Sequence, residues 1–285
     1  MNKKELVELF FKQFESCGLN SFGALGKKEE KMWETPLVGF ASGNDPLFQF
    51  LKEDIGGFYM TPQEVFRARY PNLDASAGSL TVVSFAFAQT AETKKEQAQQ
   101  DEEPCLRWMM SRNTWKAVSA EIYALIGAAL EECGIRFAIP DLMPEMQVAQ
   151  SEKYGRSAVW SQRHTAMVCG LGTFGLSEGL ITKRGVAVRF ASLVIDMEIE
   201  PDKREYEQHQ EWCLFHSVGG CGACMKRCPV GAITEDGHDK EKCAAYLNEI
   251  NRRHFSDPLL DPKVEAGCGL CQSAVPCADG KPVIS

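Results

Sequence analysis

The chain has 285 residues, 44% of them hydrophobic and 25% charged, an ordinary globular composition with length enough for one sizeable core and a second, small domain. No apolar run reaches the roughly 18 residues of a membrane span, and Met1-Asn2-Lys3-Lys4-Glu5-Leu6 offers neither a signal core nor a twin-arginine leader, so a cytoplasmic protein without a membrane partner is expected. The net charge of −8 argues against a polyanionic partner, and no nucleic acid is expected, although Lys183, Arg184 and Arg189 form a local basic group.

Lys3–Cys17 reads as an amphipathic helix with Leu6, Val7, Phe10 and Phe14 on one face and Gly18 as its stop. Ser79–Ala88, rich in β-branched and aromatic residues, predicts a buried strand, and the polar stretch Thr90–Pro104 an exposed loop. Trp115–Cys133 has helical spacing at Val118, Ile122, Ile126 and Leu130 and stops at Gly134; Ile135–Ile139 follows as a short strand. A further helix is expected over Ser157–Cys169 and a strand over Val186–Ile195. This alternation indicates an α/β or α+β domain over residues 1–200. The polar run Glu200–Glu211 marks the boundary to a small cysteine-rich domain, 201–285.

Twelve cysteines in a chain without secretory features call for an explanation other than disulfides. Cys17, Cys105, Cys133 and Cys169 are scattered and read as inert thiols, whereas Cys213, Cys221, Cys224, Cys228, Cys243, Cys268, Cys271 and Cys277 crowd the tail. Cys221-x2-Cys224-x3-Cys228-Pro229 supplies the last three cysteines of the bacterial ferredoxin run, with Cys213 replacing a first cysteine where Val218 stands. Eight thiolates suffice for two four-iron, four-sulfur clusters. In such runs the cysteine before proline serves the other cluster, so Cys213, Cys221, Cys224 and Cys277 are expected on one and Cys228, Cys243, Cys268 and Cys271 on the second. Zinc held by paired C-x2-C motifs is the rival.

Gly170-Leu171-Gly172-Thr173-Phe174-Gly175 matches the G-x-G-x-x-G dinucleotide pattern, but that pattern needs a strand before it and a helix after it. Here a helix is expected before it, and glycines follow at Gly179 and Gly185. The loop reads better as backbone approaching a flat cofactor closely.

Arg163-His164, the loop Gly170 to Ser177, then Gly179-Leu-Ile-Thr182, Gly185 and Arg189, resemble the catalytic core of epoxyqueuosine reductases and reductive dehalogenases. Cys228-Pro-Val-Gly-Ala-Ile233 and Cys243-Ala-Ala-Tyr-Leu247 extend the resemblance into the cysteine-rich part. It implies a nitroreductase-like α/β domain holding a cobalamin, covered by a ferredoxin-like domain whose clusters feed it single electrons from a low-potential donor protein. FMN is the substitute occupant for the same pocket. Gly170, Gly172, Thr173, Phe174, Gly175 and Ser177 are then the cofactor-contacting residues. Asp141, in Asp141-Leu-Met-Pro144, matches the element carrying the family's catalytic acid, and Arg163 and His164 join it as candidate catalytic residues. The bland alternatives are a helix N-cap for Asp141 and a cationic helix end for Arg163 and His164.

The chain departs from the epoxyqueuosine reductases at Leu176, where they carry lysine, and ends at Ser285 before the helical repeats with which they read transfer RNA. The expectation is therefore a cytoplasmic, anaerobic iron–sulfur reductase acting on a small molecule. The alternative is a non-catalytic ferredoxin-type carrier that reduces a partner's corrinoid or flavin.

Overall fold

The computed structural model describes residues 1–73 and 76–283. In chain order the elements are α1 (Lys3–Glu15), β1 (Leu37–Ser42), α2 (Pro46–Ile55), α3 (Pro62–Arg69), β2 (Leu80–Ala88), α4 (Ala91–Ala98), α5 (Leu106–Glu132), β3 (Phe137–Ala138), β4 (Val148–Ser151) and β5 (Gly155–Ala158). There follow α6 (Gln162–Val168), β6 (Gly172–Phe174), β7 (Leu180–Thr182), β8 (Val188–Asp196), α7 (Leu214–Val218), α8 (Ala223–Arg227), β9 (Ile233–Thr234), β10 (Gly237–His238) and α9 (Lys240–Arg253).

The central sheet has the order β1-β2-β8-β3, and every neighbouring pair is antiparallel, so the mixed fold is of the α+β kind. All nine residues of β2 are buried because both faces of the sheet are covered. The two-residue alternation of a strand sorts them. Val83, Phe85 and Phe87 enter one core with α1 and α5, while Leu80, Val82 and Ala86 enter the other with α2, α3 and α6. β8 divides in the same way, with Ala191, Leu193 and Ile195 against Phe190 and Val194. Ser84 and Ser192 face one another across the β2–β8 pair, and Trp160 fills the space above them, its indole N–H donating to the Ser192 hydroxyl at 3.0 Å.

Three expectations are corrected. Thr90–Pro104 is not a loop throughout: Thr90 caps α4, in which Thr93 and Gln97 are buried. Its polarity misleads because Gln97 is a buried bracket, donating to the Cys268 carbonyl at 2.8 Å and accepting from the Cys105 amide at 2.9 Å. The helix expected over 157–169 begins only at Gln162, where the Ser161 hydroxyl caps it, and the preceding residues form the β4–β5 hairpin. α5 starts nine residues before Trp115, since Arg107, Trp108, Met109, Met110 and Ser111 are all buried and leave no amphipathic stripe to read.

The polar run 200–211 contains no helix or strand, yet it is strapped down. Asp202 and Phe40 exchange backbone hydrogen bonding and a carboxylate contact at 2.9 Å, and Arg204 pairs with Asp45 at 2.6 Å. The cysteine-rich tail shares cores with the rest. Ile250, Leu260 and Ala266 complete the α1–α5 core, and Ile233, Val275 and Ala278 pack with Leu176, Ile181 and Val186.

Candidate cofactor and cluster site

All eight tail cysteines are free thiols, and the fold gathers them into two foursomes. Cys213 precedes α7, Cys221 and Cys224 flank and enter α8, and Cys277 returns from the tail; these four line a small void beside Leu176, Val186 and Phe215. Cys228 ends α8, Cys243 lies in the first turn of α9, and Cys268 and Cys271 flank Gly269 and Leu270; these four line a cavity of about 630 Å³. The crowding is electrostatic as well as spatial. Burial, then Cys213, Cys224 and Cys221, push the Cys277 thiol up to about 12. Burial, with Cys243 and Cys228, pushes Cys268 up to about 11, and Cys271 is raised by burial and by Cys268, Cys243, Cys224 and Cys228. Holding so many thiolates together without a cation is costly.

The first two hundred residues also line the 630 Å³ cavity, among them Trp33, Gln89, Trp108, Trp115, Asp141, Trp160 and Gln162. A second cavity of about 860 Å³ adjoins it, sharing Ala158, Ser161, Arg163 and His238.

The glycine loop divides between structure and site. Residues 172–174 and 180–182 form a β6–β7 hairpin with Gly172 opposite Thr182. A Cβ on Gly172 would meet the Ile181 carbonyl oxygen at 1.9 Å, so the glycine is required by the close strand approach. Thr173 is buried and its hydroxyl accepts the Trp212 amide at 2.9 Å, and Gly170 abuts Lys203. Gly170, Gly172 and Thr173 line neither large cavity. Phe174 and Gly175 line the 860 Å³ cavity and Ser177 the 630 Å³ one.

Asp141 sits in a short 3-10 turn, where its two carboxylate oxygens accept from the Tyr123 hydroxyl at 2.9 Å and the Gln162 amide at 2.8 Å, and it lines the 630 Å³ cavity. Arg163 lines both cavities and donates to the Glu178 carbonyl; the surrounding protein lowers its pKa, with Glu178 opposing. His164 lines only the larger cavity, with Nδ1 2.7 Å from the Ser161 hydroxyl and its ring 4.8 Å from Phe174. Burial, then Arg163, lower its pKa to about 4, so it is neutral at pH 7. Sequence reasoning missed Trp108, Tyr123 and Gln162. Tyr123 follows the core residue Ile122 in α5, so nothing in its spacing separates it from a packing aromatic.

No family model matches the sequence. Solved structures define the class first. The structure aligns with the epoxyqueuosine reductase of Bacillus subtilis, solved with its catalytic loop swung out of the active site, at a TM-score of 0.53 and 18% identity over 99% of this chain and 68% of that one. It also aligns with a reductive dehalogenase whose structure suggests a mechanism for B12-dependent dehalogenation, at 0.50 and 16% over 87% of this chain and 30% of that one. The fold is that of epoxyqueuosine reductases and reductive dehalogenases, as the sequence resemblance implied. Sequence likeness is to the first group: the Francisella cf. novicida (strain Fx1) epoxyqueuosine reductase is 32% identical over 134 residues, 45% of this chain and 34% of that protein. The match thus spans about a third of that relative's length.

Another epoxyqueuosine reductase, aligned at a TM-score of 0.49 and 17% identity over 99% of this chain and 68% of that one, is solved with an epoxyqueuosine-modified tRNA-Tyr stem loop. Curated relatives that share sequence with this chain carry the same enzyme name, and on that ground the expectation of no nucleic acid is corrected. The physical error was to read a local property from net charge. The 860 Å³ cavity is lined by Lys153, Arg156, Arg163, Arg204 and Lys240 against Asp54, Glu178, Glu207, Glu235 and Asp236, near balance despite the −8 of the whole chain. Among the described residues no helix is long and apolar enough to cross a membrane.

Proposed function

We propose that this chain is an iron–sulfur reductase in which two four-iron, four-sulfur clusters pass single electrons to a cobalamin in the 630 Å³ cavity. The observation that carries this reading is that one cysteine foursome lines that cavity together with tryptophans, glutamines and Asp141. Cys224 lies on α8 and Cys228 caps its C-terminal end four residues on, each in a different foursome, so the two clusters would be close neighbours.

The donor sets suit clusters better than zinc. A tetrathiolate zinc site needs sulfurs about 3.8 Å apart, from Zn–S bonds of about 2.3 Å in tetrahedral geometry. Here eight thiols divide four and four between two spaces, the number two cubanes need, and the C-x3-C-P run is the ferredoxin pattern. The cavity wall also suits a corrinoid. Trp33 Nε1, Gln89 Oε1 and Gln162 Oε1 are buried without hydrogen-bond partners, and all three residues line the cavity. Unpaired buried donors and acceptors are costly, and this mixture complements carboxamides, which rim a corrin and are absent from the phosphate end of FMN.

When bound, cobalamin supplies the low-potential two-electron chemistry. Asp141, held by Tyr123 and Gln162, and Arg163, at the junction of the cavities, are the residues placed to move a proton and to neutralise developing negative charge. Neutral His164 would contact substrate in the larger cavity. The relatives make epoxyqueuosine in tRNA the first substrate to assay, in a cytoplasmic setting that keeps the thiols reduced.

Anaerobic reconstitution with iron, sulfide and cobalamin, followed by metal analysis and EPR, tests the proposal. Two cubanes and one cobalamin per chain are expected. Zinc, or iron far below that content, would refute the cluster reading; full clusters without cobalamin would establish the carrier, and flavin uptake the FMN alternative.

A further inference from the structure

Trp108 and Arg112 lie four residues apart on α5, hence on one face, and both press on the loop that carries Cys268 and Cys271. Two glycines in left-handed conformation admit them. Gly267 has φ +71 and a Cβ there would stand 2.6 Å from Arg112 Nε; Gly269 has φ +67 and its Cβ would fall 1.9 Å from Cζ2 and 2.4 Å from Nε1 of Trp108. The indole is therefore seated on the backbone between two cysteines of the cavity-side foursome. Arg112 has a partner, Glu265 at 3.3 Å. Trp108 is 2% exposed, and its Nε1–H meets no acceptor among the described residues. A buried indole N–H left unpaired is an expense that folded proteins avoid, unless a bound group completes the hydrogen bond.

Resting on the cluster reading above, we propose that Trp108 donates its indole N–H to a sulfur of the cluster held by Cys228, Cys243, Cys268 and Cys271, and so raises that cluster's reduction potential. Trp108 lines the cavity with all four thiols, and its ring touches the loop that presents two of them. Reduction adds negative charge that resides largely on sulfur. A donor aimed there stabilises the reduced state more than the oxidised one, and hydrogen bonding to sulfur is a recognised lever on cluster potential. The other foursome has Leu176, Ile181, Val186 and Phe215 as neighbours in its void, and Trp212, also with an unpaired buried indole N–H, packs in one core with Cys213, Cys224 and Cys277.

The experiment uses the full chain reconstituted anaerobically, wild type against Trp108→Phe, with iron and sulfide analysis first and EPR-monitored redox titration after. Phenylalanine keeps an aromatic ring against Gly269 and removes only the donor and part of the ring. A Cys213→Ala background, which leaves the cavity-side thiols intact, assigns the signals. The cavity-side cluster is expected to become at least tenfold harder to reduce at a fixed potential, a downward shift of 59 mV for one electron; the other cluster should not move. In D2O-exchanged wild type, pulsed EPR should detect a deuteron coupled to the cavity-side cluster that Trp108→Phe abolishes. An unchanged midpoint in a variant with full iron content overturns the proposal while leaving the cluster reading standing. If Trp108→Phe fails to reconstitute, absence of the deuteron coupling in wild type is by itself decisive against it. Wild type lacking cubanes removes the underlying reading instead.

Discussion

Tyr123→Phe isolates the contact that holds Asp141 at the cavity. β3 is only two residues long and pairs with Ile195 and Val194, so the outer edge of β8 is free at Ser192. The Tyr123 hydroxyl takes the place of the missing strand, accepting the Ser192 amide at 3.2 Å while donating to Asp141 Oδ2 at 2.9 Å. Burial and the Asp141 charge raise the tyrosine pKa well above its usual value, so the donor is retained at any working pH. Removing the hydroxyl leaves a buried amide unpaired, about 1–3 kcal/mol, and loses a bond to a solvent-exposed carboxylate, about 1 kcal/mol after screening. The net expectation is about 2 kcal/mol of destabilisation, a fall in Tm of roughly 4–8 °C for a chain of this size. A cycle with Asp141→Asn should show coupling of at least about 0.5 kcal/mol, because the residues share a hydrogen bond. Differential scanning calorimetry and urea unfolding of the four proteins provide the measurement. A Tyr123→Phe protein as stable as wild type, or strictly additive double-mutant values, would refute the reasoning and leave Asp141 unsupported.

Three further outcomes follow from the site. Cys271→Ala should cost about half the bound iron, leaving the cluster on Cys213, Cys221, Cys224 and Cys277, whereas Cys213→Ala should spare the cavity-side cluster; iron and sulfide analysis distinguishes them. Gly185 has φ +92, and a Cβ there would lie 1.9 Å from the Ala278 carbonyl oxygen, so Gly185→Ala should destabilise by more than about 2 kcal/mol and displace neighbouring Cys277, read as lower Tm and iron content. His164 has a folded pKa of about 4, below its ordinary 6.5, so on acidification the unfolded chain takes up the proton first. The stability it contributes is complete above pH 6.5 and is lost as pH falls toward 4, by up to about 2 kcal/mol given the cavity's screening. His164→Asn should flatten the stability–pH curve in that window, as followed by urea denaturation.

The cysteines were readable in the linear chain because short loops confine their thiols. Three residues between Cys224 and Cys228, with proline after, leave little choice of direction; spacing together with the crossed ligation of ferredoxin runs suggested two groups of four, and the same groups line the cavity and the void. The helix α1 was legible because it buries one face of helical period, and the strand β2 because its β-branched and aromatic run suits a strand buried on both faces. Periodicity failed where burial was not one-sided, at the first turns of α5, and where polar side chains were buried because the tail satisfied them, as with Gln97. Tertiary structure alone decided that Tyr123 and Gln162 meet Asp141, that Gly172 serves a hairpin while Ser177 faces the cavity, and that Trp108 stands against Gly269. Ligand spacing is a property of a short segment, whereas a cavity wall is assembled from segments more than a hundred residues apart, and no local pattern encodes which of them will face one another.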